Sequence, residues 1–203
     1  MRIAHFFVEQ LEKNGVKHIF GLPGEELKDI LYALEKSKIQ FVTTRHEQGA
    51  SFAAAAYGRI LGEPGVCIST LGPGATNLVT GVAEAKLSNF PLVAINAQDA
   101  SNPHQYIDTV KMFEPISKWS TKVANPKEIP SIIQKATFLA KKHSQGSTHI
   151  EISEKIVREE TYARATSNQV VSEPEENQPD TKKLQKVAEI FNNPAQSATV
   201  APV

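Results

Sequence analysis

Short apolar runs alternate along the chain with longer segments whose apolar residues recur at helical spacing. Four of these runs are predicted strands: VKHIF, IQFVTT, GVCIST and PLVAINA. Short turns join the first three to predicted helices, an alternation that favours a parallel sheet covered on both faces. The pattern therefore predicts an α/β fold with a doubly wound, mostly parallel sheet flanked by helices.

The regular alternation weakens after Ala97. The segment that begins at Gln98 has no strong period until Val110, which predicts a longer, functional connection. A strand in KWSTKVA, a helix opened by Asn125 and Pro126, and a last strand in THIEIS complete the predicted domain.

The last 45 residues of the chain, 159–203, change in composition. The stretch SEPEENQPD is rich in charge and proline and poor in residues that could pack, which is typical of a linker. We predict a domain over 1–158, a linker over 159–180 and, over 181–203, the start of a truncated further domain. One amphipathic helix with a short remainder cannot form a domain alone, although a natural end with a docked terminal helix is the alternative.

Charge and composition exclude several classes of protein. Lys and Arg together number 22, as do Asp and Glu, so no overall field attracts nucleic acid or an anionic membrane. The single cysteine, Cys67, excludes an internal disulfide and disfavours a cysteine-based metal site. Its buried strand pattern indicates packing rather than a nucleophile. The N-terminal segment lacks a signal-peptide pattern, and no apolar run approaches the ~20 residues of a membrane span. We expect a soluble, cytoplasmic protein.

Three distinctive stretches fall where predicted strands end: GLPGEE, TRHEQGA and TLGPGATN. The carboxyl ends of parallel strands are where ligands gather in folds of this kind. A backbone cradle for phosphate in LGPGATN is one possible role, but the stretch lacks the lysine and glycine spacing of a P-loop. GLPGEE lacks the dinucleotide fingerprint as well, so nucleotide binding is disfavoured.

Glu47 is the leading candidate for chemistry. At the start of a predicted helix that runs to about Leu61, its simplest role is to favour the helix dipole. The helix that follows, QGASFAAAAYG, has small side chains that allow another backbone to approach closely. A glutamate that loses solvent at such a surface becomes a candidate proton carrier, because desolvation disfavours its charged form. His46 beside it has a structural role as its simplest interpretation.

These stretches together carry a resemblance to a known family. Taken in order, IFGLPGE, FVTTRHEQGASFAAAAYGR, GVCISTLGPGATNLVTGVAEA and PLVAINAQ resemble the N-terminal pyrimidine-binding domain of thiamine-diphosphate enzymes, most of all the acetolactate synthase branch. The resemblance extends over roughly 1–156. Its motifs are specific in combination rather than singly.

The resemblance implies a definite role for Glu47. In the family, the matching glutamate hydrogen-bonds N1′ of the aminopyrimidine of thiamine diphosphate and serves as the proton relay that activates the cofactor. The activated cofactor carbon then attacks a 2-keto acid such as pyruvate, carbon dioxide leaves, and the remaining group adds to a second carbonyl compound. Such a relay is consistent with acid–base catalysis at a dry interface.

Further site residues follow from the same resemblance. Pro23 and Gly24 match the turn close to the thiazolium ring, and Gln105 matches a glutamine that faces the reaction centre. Three residues match positions near the pyrimidine: Thr70, Gly74 and Asn77. On this interpretation the Gly-Pro-Gly turn does not hold phosphate, and no metal ligand is assigned within the chain.

The chain also departs from the family pattern. Ala97 replaces a glycine, His104 stands where phenylalanine is common, Ser153 replaces a frequent proline, and the connection between Gln98 and Gln105 is short. These changes lie where substrate choice is determined, so the resemblance implies the cofactor more firmly than the product. The Gly-Asp-Gly and Asn-Asn motif that binds Mg²⁺ and diphosphate is absent from these 203 residues.

Three functional hypotheses remain. The first is the pyrimidine-binding portion of a longer carboligase or decarboxylase, which pairs as a homo-oligomer (dimer or tetramer) with a diphosphate-binding domain of the same or another polypeptide. In that case the chain alone is expected to be inactive. The second is a stand-alone alpha-type subunit of a split 2-keto acid decarboxylase, and the third a non-catalytic module of the same fold. Retention of Glu47 argues against the third.

Overall fold

A computed structural model describes residues 2–99, 103–160 and 180–192. The chain divides into two compact units, Met1–Gln169 and Val170–Val203. The helices of the first unit are α1 Ile3–Lys13, α2 Lys28–Glu35, α3 Glu47–Leu61, α4 Pro73–Leu87, α5 Thr109–Phe113, α6 Ile129–Lys141 and α7 Glu154–Arg158. Its strands are β1 His18–Gly21, β2 Gln40–Thr43, β3 Gly65–Ser69, β4 Leu92–Ala97, β5 Ser120–Val123 and β6 Ser147–Ile152.

The strands form one parallel sheet in the order β2-β1-β3-β4-β6-β5. Ile19 of β1 pairs in register with Phe41 on one side and with Val66 on the other. The chain thus leaves β1 for the edge strand β2 and returns across β1 to β3, which reverses the direction of winding. The predicted doubly wound α/β fold is confirmed.

Alternate residues of the central strands face opposite sides of the sheet. Val66 and Ile68 of β3 pack in one apolar cluster with residues of α1, α2 and α6, whereas Cys67 packs in a second cluster with α3 and α4. Because both faces are covered, β3, β4 and β6 are buried along their whole length. A helical layer on each side of the sheet follows from this apolar pattern.

Most predicted elements occur where the sequence places them, with local differences. The helix predicted after GLPG begins as a 3₁₀ turn, Glu25–Leu27, before α2. The connection after β4 ends in the short helix α5, and α7 follows β6; neither was predicted. Asn125 opens its helix with a capping box, in which its side chain accepts the Lys127 amide at 2.9 Å and Glu128 accepts the Asn125 amide at 3.2 Å.

The second unit is described over 180–192. It contains α8, Thr181–Asn192, which confirms the helix predicted there. Asp180 precedes this helix and its carboxylate accepts the amide of Lys182 at 3.0 Å. Most of the predicted linker, 159–180, lies outside the described residues, so the proposed domain boundaries stay a prediction. Within the described parts of the chain, no helix is both long and apolar enough to span a bilayer.

Candidate functional site

The three sequence stretches meet at the carboxyl edge of the sheet, where the winding reverses between β1 and β3. Gly24 follows β1 and Thr70 follows β3. A β-carbon at Gly24 would lie 2.9 Å from Cβ of Thr70, so the two turns are in direct contact. The crevice at such a reversal point is the usual ligand site of this architecture.

Glu47 begins α3 at the same edge. His46 caps this helix: its backbone is extended and its Nδ1 accepts the amide of Gln48 at 3.1 Å. A side chain that satisfies a free amide of the first turn fixes where the helix begins. His46 therefore has the structural role expected of it, and the position of Glu47 follows from the cap.

The Glu47 carboxylate is buried against α4. Its residue is 5% exposed, and Asn77 of α4 donates its side-chain amide to Oε2 at 2.9 Å. No hydrogen bond to Oε1 is formed by the part of the chain that the structure describes. One carboxylate oxygen is thus held in place and the other remains able to bind a further group.

Gly74 lies beside that second oxygen. A β-carbon at this position would lie 3.4 Å from Glu47 Oε1 and 2.7 Å from Cγ2 of Thr70. Any larger residue would fill the space between the carboxylate and the β3 turn. The glycine therefore lets α4 lie directly against Thr70 beside Glu47 Oε1. The cofactor-binding roles predicted for Gly74 and Thr70 stay predictions.

The small residues of α3 pack against other elements of the same chain. Ser51 of α3 faces Gly81 of α4, and Ala54 of α3 lies so close to β3 that a β-carbon at Gly65 would meet its carbonyl oxygen at 1.8 Å. The close backbone approach predicted for this helix is thus made by β3 and α4. This packing brings Asn77 within hydrogen-bond reach of Glu47.

Glu26 is a site residue that the sequence reasoning missed. Its carboxylate accepts a hydrogen bond from the Thr70 hydroxyl, which links the turn after β1 to the turn after β3. From sequence alone, a carboxylate at this helix start indicates only a favourable interaction with the helix dipole. No local signal identifies Thr70 as its partner, because 44 residues separate the two.

Gln105 contacts the site region through its backbone. Both Gln105 and Gly72 have positive φ, 58° and 42°, and a β-carbon at Gly72 would lie 2.1 Å from the Gln105 carbonyl oxygen. Gly72 is the N-cap of α4, so the glycine is required there by the close approach of this connection. The side chain of Gln105 is exposed. Its predicted role beside the reaction centre stays a prediction.

Pro23 borders a cavity that does not include the Glu47 cluster, which consists of Gly24, Glu47, Thr70, Gly74 and Asn77. It is exposed and borders a groove along the β2 edge, about 670 Å³ in volume, together with residues of α2 such as Leu31 and Tyr32. None of Gly24, Thr70, Gly74, Asn77 or Glu47 lines this groove. We place the candidate site at Glu47, because converging polar groups rather than volume indicate chemistry.

The remaining reactive groups are consistent with structural roles. Burial raises the pKa of the Cys67 thiol to about 12, so this cysteine is not a nucleophile at neutral pH. Burial also lowers the pKa of His149 to about 3; its ring stacks on Phe113 and contacts Asn96 at 2.7 Å and Ser120 at 2.8 Å. Among the described residues, no three His, Cys, Asp or Glu side chains are grouped to hold a metal ion.

The arrangement fits the aminopyrimidine half of thiamine diphosphate. Glu47 is 5% exposed, and its Oε1, unengaged among the described residues, is available to a ring nitrogen. Gly24 and Gly74 let the turn after β1 and the start of α4 pack directly against Thr70. Nothing in this cluster is positively charged, so it does not resemble a site for the diphosphate half.

Comparison with known proteins agrees with this geometry. Residues 1–116 match the model of the family described as thiamine pyrophosphate enzyme, N-terminal TPP binding domain. The chain is 36% identical over 165 residues to the acetolactate synthase of Bacillus subtilis, covering 79% of this chain and 29% of that protein. It is 40% identical over 157 residues to a probable acetolactate synthase large subunit of Methanocaldococcus jannaschii, covering 75% and 27% respectively.

A plant relative gives the same result. The chloroplastic acetolactate synthase of Arabidopsis thaliana is 41% identical over 159 residues, covering 75% of this chain and 24% of the plant protein. The chain thus spans less than a third of the length of these relatives. On the family match over 1–116 and these identities, the chain belongs to the thiamine pyrophosphate enzymes, and its matching part is their N-terminal TPP binding domain.

Proposed function

We propose that this chain is the pyrimidine-binding portion of an acetolactate synthase-like enzyme, which decarboxylates a 2-keto acid and joins the product to a second carbonyl compound. The observation that carries the proposal is the Glu47 carboxylate, buried, held through Oε2 by Asn77 and unengaged at Oε1 among the described residues. The names of the relatives, all acetolactate synthases, support the choice of reaction.

Glu47 would hold and move the proton in this mechanism. Asn77 fixes the carboxyl group so that Oε1 faces the space beside Gly74, where it can exchange a proton with a ring nitrogen. Low exposure of Glu47 keeps bulk water from competing for that proton. The hydrogen bond from Thr70 to Glu26 orients the two turns that border the space. When bound, thiamine diphosphate supplies a nucleophilic carbon and a ring that accepts the electrons released with carbon dioxide.

Several components of the proposed enzyme lie outside the chain. Mg²⁺ and the diphosphate would be held by a second domain, of the same or another polypeptide, since the described residues group no metal ligands. The domain would assemble as a dimer or tetramer in the cytoplasm. A stand-alone subunit of a split 2-keto acid decarboxylase is the alternative, and the similarity to full-length synthases favours the first proposal over it.

The test is an assay of the full-length protein with thiamine diphosphate, Mg²⁺ and pyruvate. We expect release of carbon dioxide and formation of acetolactate in the wild type, and loss of at least ~100-fold in kcat in Glu47→Gln, which cannot carry the proton. Glu114→Gln, an exposed glutamate on the chain, serves as the matched control and should retain activity. Equal activity of Glu47→Gln and wild type would contradict the proposal, and would favour a non-catalytic module if no carbon dioxide were released by either.

A further inference from the structure

A buried carboxylate on β6 lies outside the Glu47 cluster. Glu151 is 1% exposed, between the buried apolar residues Ile150 and Ile152. A buried charge is costly unless it is paired and hydrogen-bonded, so its partners indicate what it is for.

The partners of Glu151 come from three different segments. Its Oε2 accepts a hydrogen bond from Nε2 of Gln98 at 2.7 Å and another from the hydroxyl of Thr109. Lys122 of β5 places Nζ 2.8 Å from Oε1, an ion pair. Burial disfavours the charged form of Lys122, but the hydrogen bond and charge of Glu151 outweigh it and raise the pKa of this lysine. Oε2 of Glu151 is thus held by two hydrogen bonds, and Oε1 lies in an ion pair.

Gln98 and Thr109 flank the connection that carries Gln105. Gln98 follows β4 directly, and its backbone amide donates to the Ile152 carbonyl at 3.1 Å. Its Nε2 also donates to the carbonyl of Ile107 at 2.8 Å. The acceptors around Nε2 favour this orientation of the side-chain amide, in which Oε1 of Gln98 is buried without a hydrogen-bond partner among the described residues. Glu151 therefore holds both ends of the connection, Gln98 and Thr109, against β6.

The other side of this connection meets the candidate site. The carbonyl of Gln105 packs on Gly72, the N-cap of α4, and Asn77 of the same helix holds Glu47. A shift of residues 103–109 would therefore change both the position of Gln105 and its contact with the start of α4. The contacts that link Glu151 to Glu47 run entirely through described residues.

We propose that Glu151 is a positioning residue: it holds residues 103–109 beside the Glu47 site and so determines which 2-keto acids that site accepts. The inference rests on the proposed function for its substrate, but the anchoring of the connection does not. Lys122 pairs with the carboxylate from β5, and Gln98 and Thr109 link its position to that of the connection.

Two measurements on the full-length protein test the proposal. In Glu151→Gln we expect amide hydrogen exchange to rise about tenfold in peptides covering 103–113, with exchange in β1 and α3 unchanged. We also expect KM for the 2-keto acid to rise about tenfold while KM for thiamine diphosphate stays within about twofold, because the substrate side alone is displaced. The ratio of products from pyruvate and 2-ketobutyrate should change with it.

Two further variants complete the design. Thr109→Val removes one hydrogen bond to the carboxylate, together with the bond that the Thr109 hydroxyl accepts from Gln98 at 3.2 Å. It should change the same quantities in the same direction, by less, and it serves as the test if Glu151→Gln does not fold. Glu63→Gln breaks an exposed ion pair with Lys141, 2.8 Å long, and should change neither quantity. Exchange that rises throughout the domain, or two KM values that rise together, would reduce Glu151 to a general stabilising role and overturn the proposal.

The outcomes separate this inference from the proposed function. If the wild type does not act on any 2-keto acid, the proposed function fails, and the exchange measurement still decides whether Glu151 holds the connection. If the wild type is active and Glu151→Gln shows neither local exchange nor a change in substrate KM, the positioning role alone is refuted.

Discussion

Gly81 of α4 lies directly against Ser51 of α3: a β-carbon on the glycine would meet the serine Oγ at 2.1 Å and its Cβ at 2.7 Å. This contact sets how closely the two helices approach, and the same two helices carry Glu47 and Asn77. The separation of the Glu47 carboxylate from its hydrogen-bond donor therefore depends on a glycine that lies outside the Glu47 cluster.

Gly81→Ala should destabilise the domain. The added methyl overpacks a helix contact, for which we expect a loss of about 1–3 kcal/mol in the free energy of unfolding, measured by denaturant titration. Gly49→Ala is the matched control on α3, because a β-carbon there has nothing within 4 Å. That control should leave stability unchanged or raise it by up to about 1 kcal/mol. If the two variants were equally stable, α3 and α4 could move apart to accommodate the methyl group without cost, which would contradict the prediction.

Asn77→Ala should reduce activity of the full-length protein. Without the 2.9 Å hydrogen bond, the Glu47 carboxylate is no longer fixed, and we expect kcat to fall by about 10- to 100-fold. Thr76→Ala, an exposed neighbour on the same helix, should be close to wild type. If Asn77→Ala retained full kcat, the hydrogen bond would not orient Glu47 during catalysis.

His149 should make the protein less stable as the pH falls below 6.5. Burial lowers the pKa of the folded imidazole from 6.5 to about 3, so between these values the unfolded chain binds a proton that the folded chain does not. Its contribution is fully present above pH 6.5 and declines by about 1.4 kcal/mol per pH unit on acidification. Thermal unfolding of His149→Gln at pH 7.5 and 4.5 should show a flatter pH dependence than His143→Gln, an exposed control. Parallel pH profiles would contradict this.

The isolated 203-residue chain should bind thiamine diphosphate weakly or not measurably. Its candidate site offers groups for the aminopyrimidine, whereas the described residues provide no grouped ligands for a metal. Titration calorimetry with thiamine diphosphate and Mg²⁺ would measure this affinity. A dissociation constant in the micromolar range would mean that the chain itself holds the diphosphate.

Self-association is expected through the exposed side of α3. Three large apolar side chains of this helix, Phe52, Ile60 and Leu61, are 41%, 81% and 52% exposed. Light scattering should show oligomers of the wild type and a shift towards monomer in Ile60→Lys. Tyr32→Lys, at an exposed position of α2, is the control and should associate as the wild type does. A monomer at high concentration in the wild type would contradict the expectation.

Periodicity was sufficient to predict the central strands and the doubly wound fold, because strands buried on both faces consist of uninterrupted apolar residues. The order of the strands in the sheet could not be predicted from periodicity. β2 is apolar in sequence, yet it is a half-exposed edge strand, and this could be recognised only from the pairing of β1 with β3. The short helices α5 and α7 have too few residues to show a helical period.

Some residues of the candidate site could likewise be predicted from the sequence, and others could not. Glu47 could be singled out because it begins a small-residue helix at a strand end, and Asn77, Thr70 and Gly74 followed from the family resemblance. Glu26 and Glu151 could not be found, since their roles depend on partners 44 and 42 residues away, Thr70 and Thr109. The roles assigned to all the site residues remain predictions for the experiments above.

The position of β1 between β2 and β3 also affects how the protein folds during synthesis. The β3 strand that completes the pairing of β1 lies beyond β2 and the whole of α3, and Glu47 meets Asn77 only across 30 residues of intervening chain. During synthesis on the ribosome, Glu47 therefore has no contact with Asn77 until α4 has emerged. Contacts of such long sequence separation slow folding, because loop closure has to precede them.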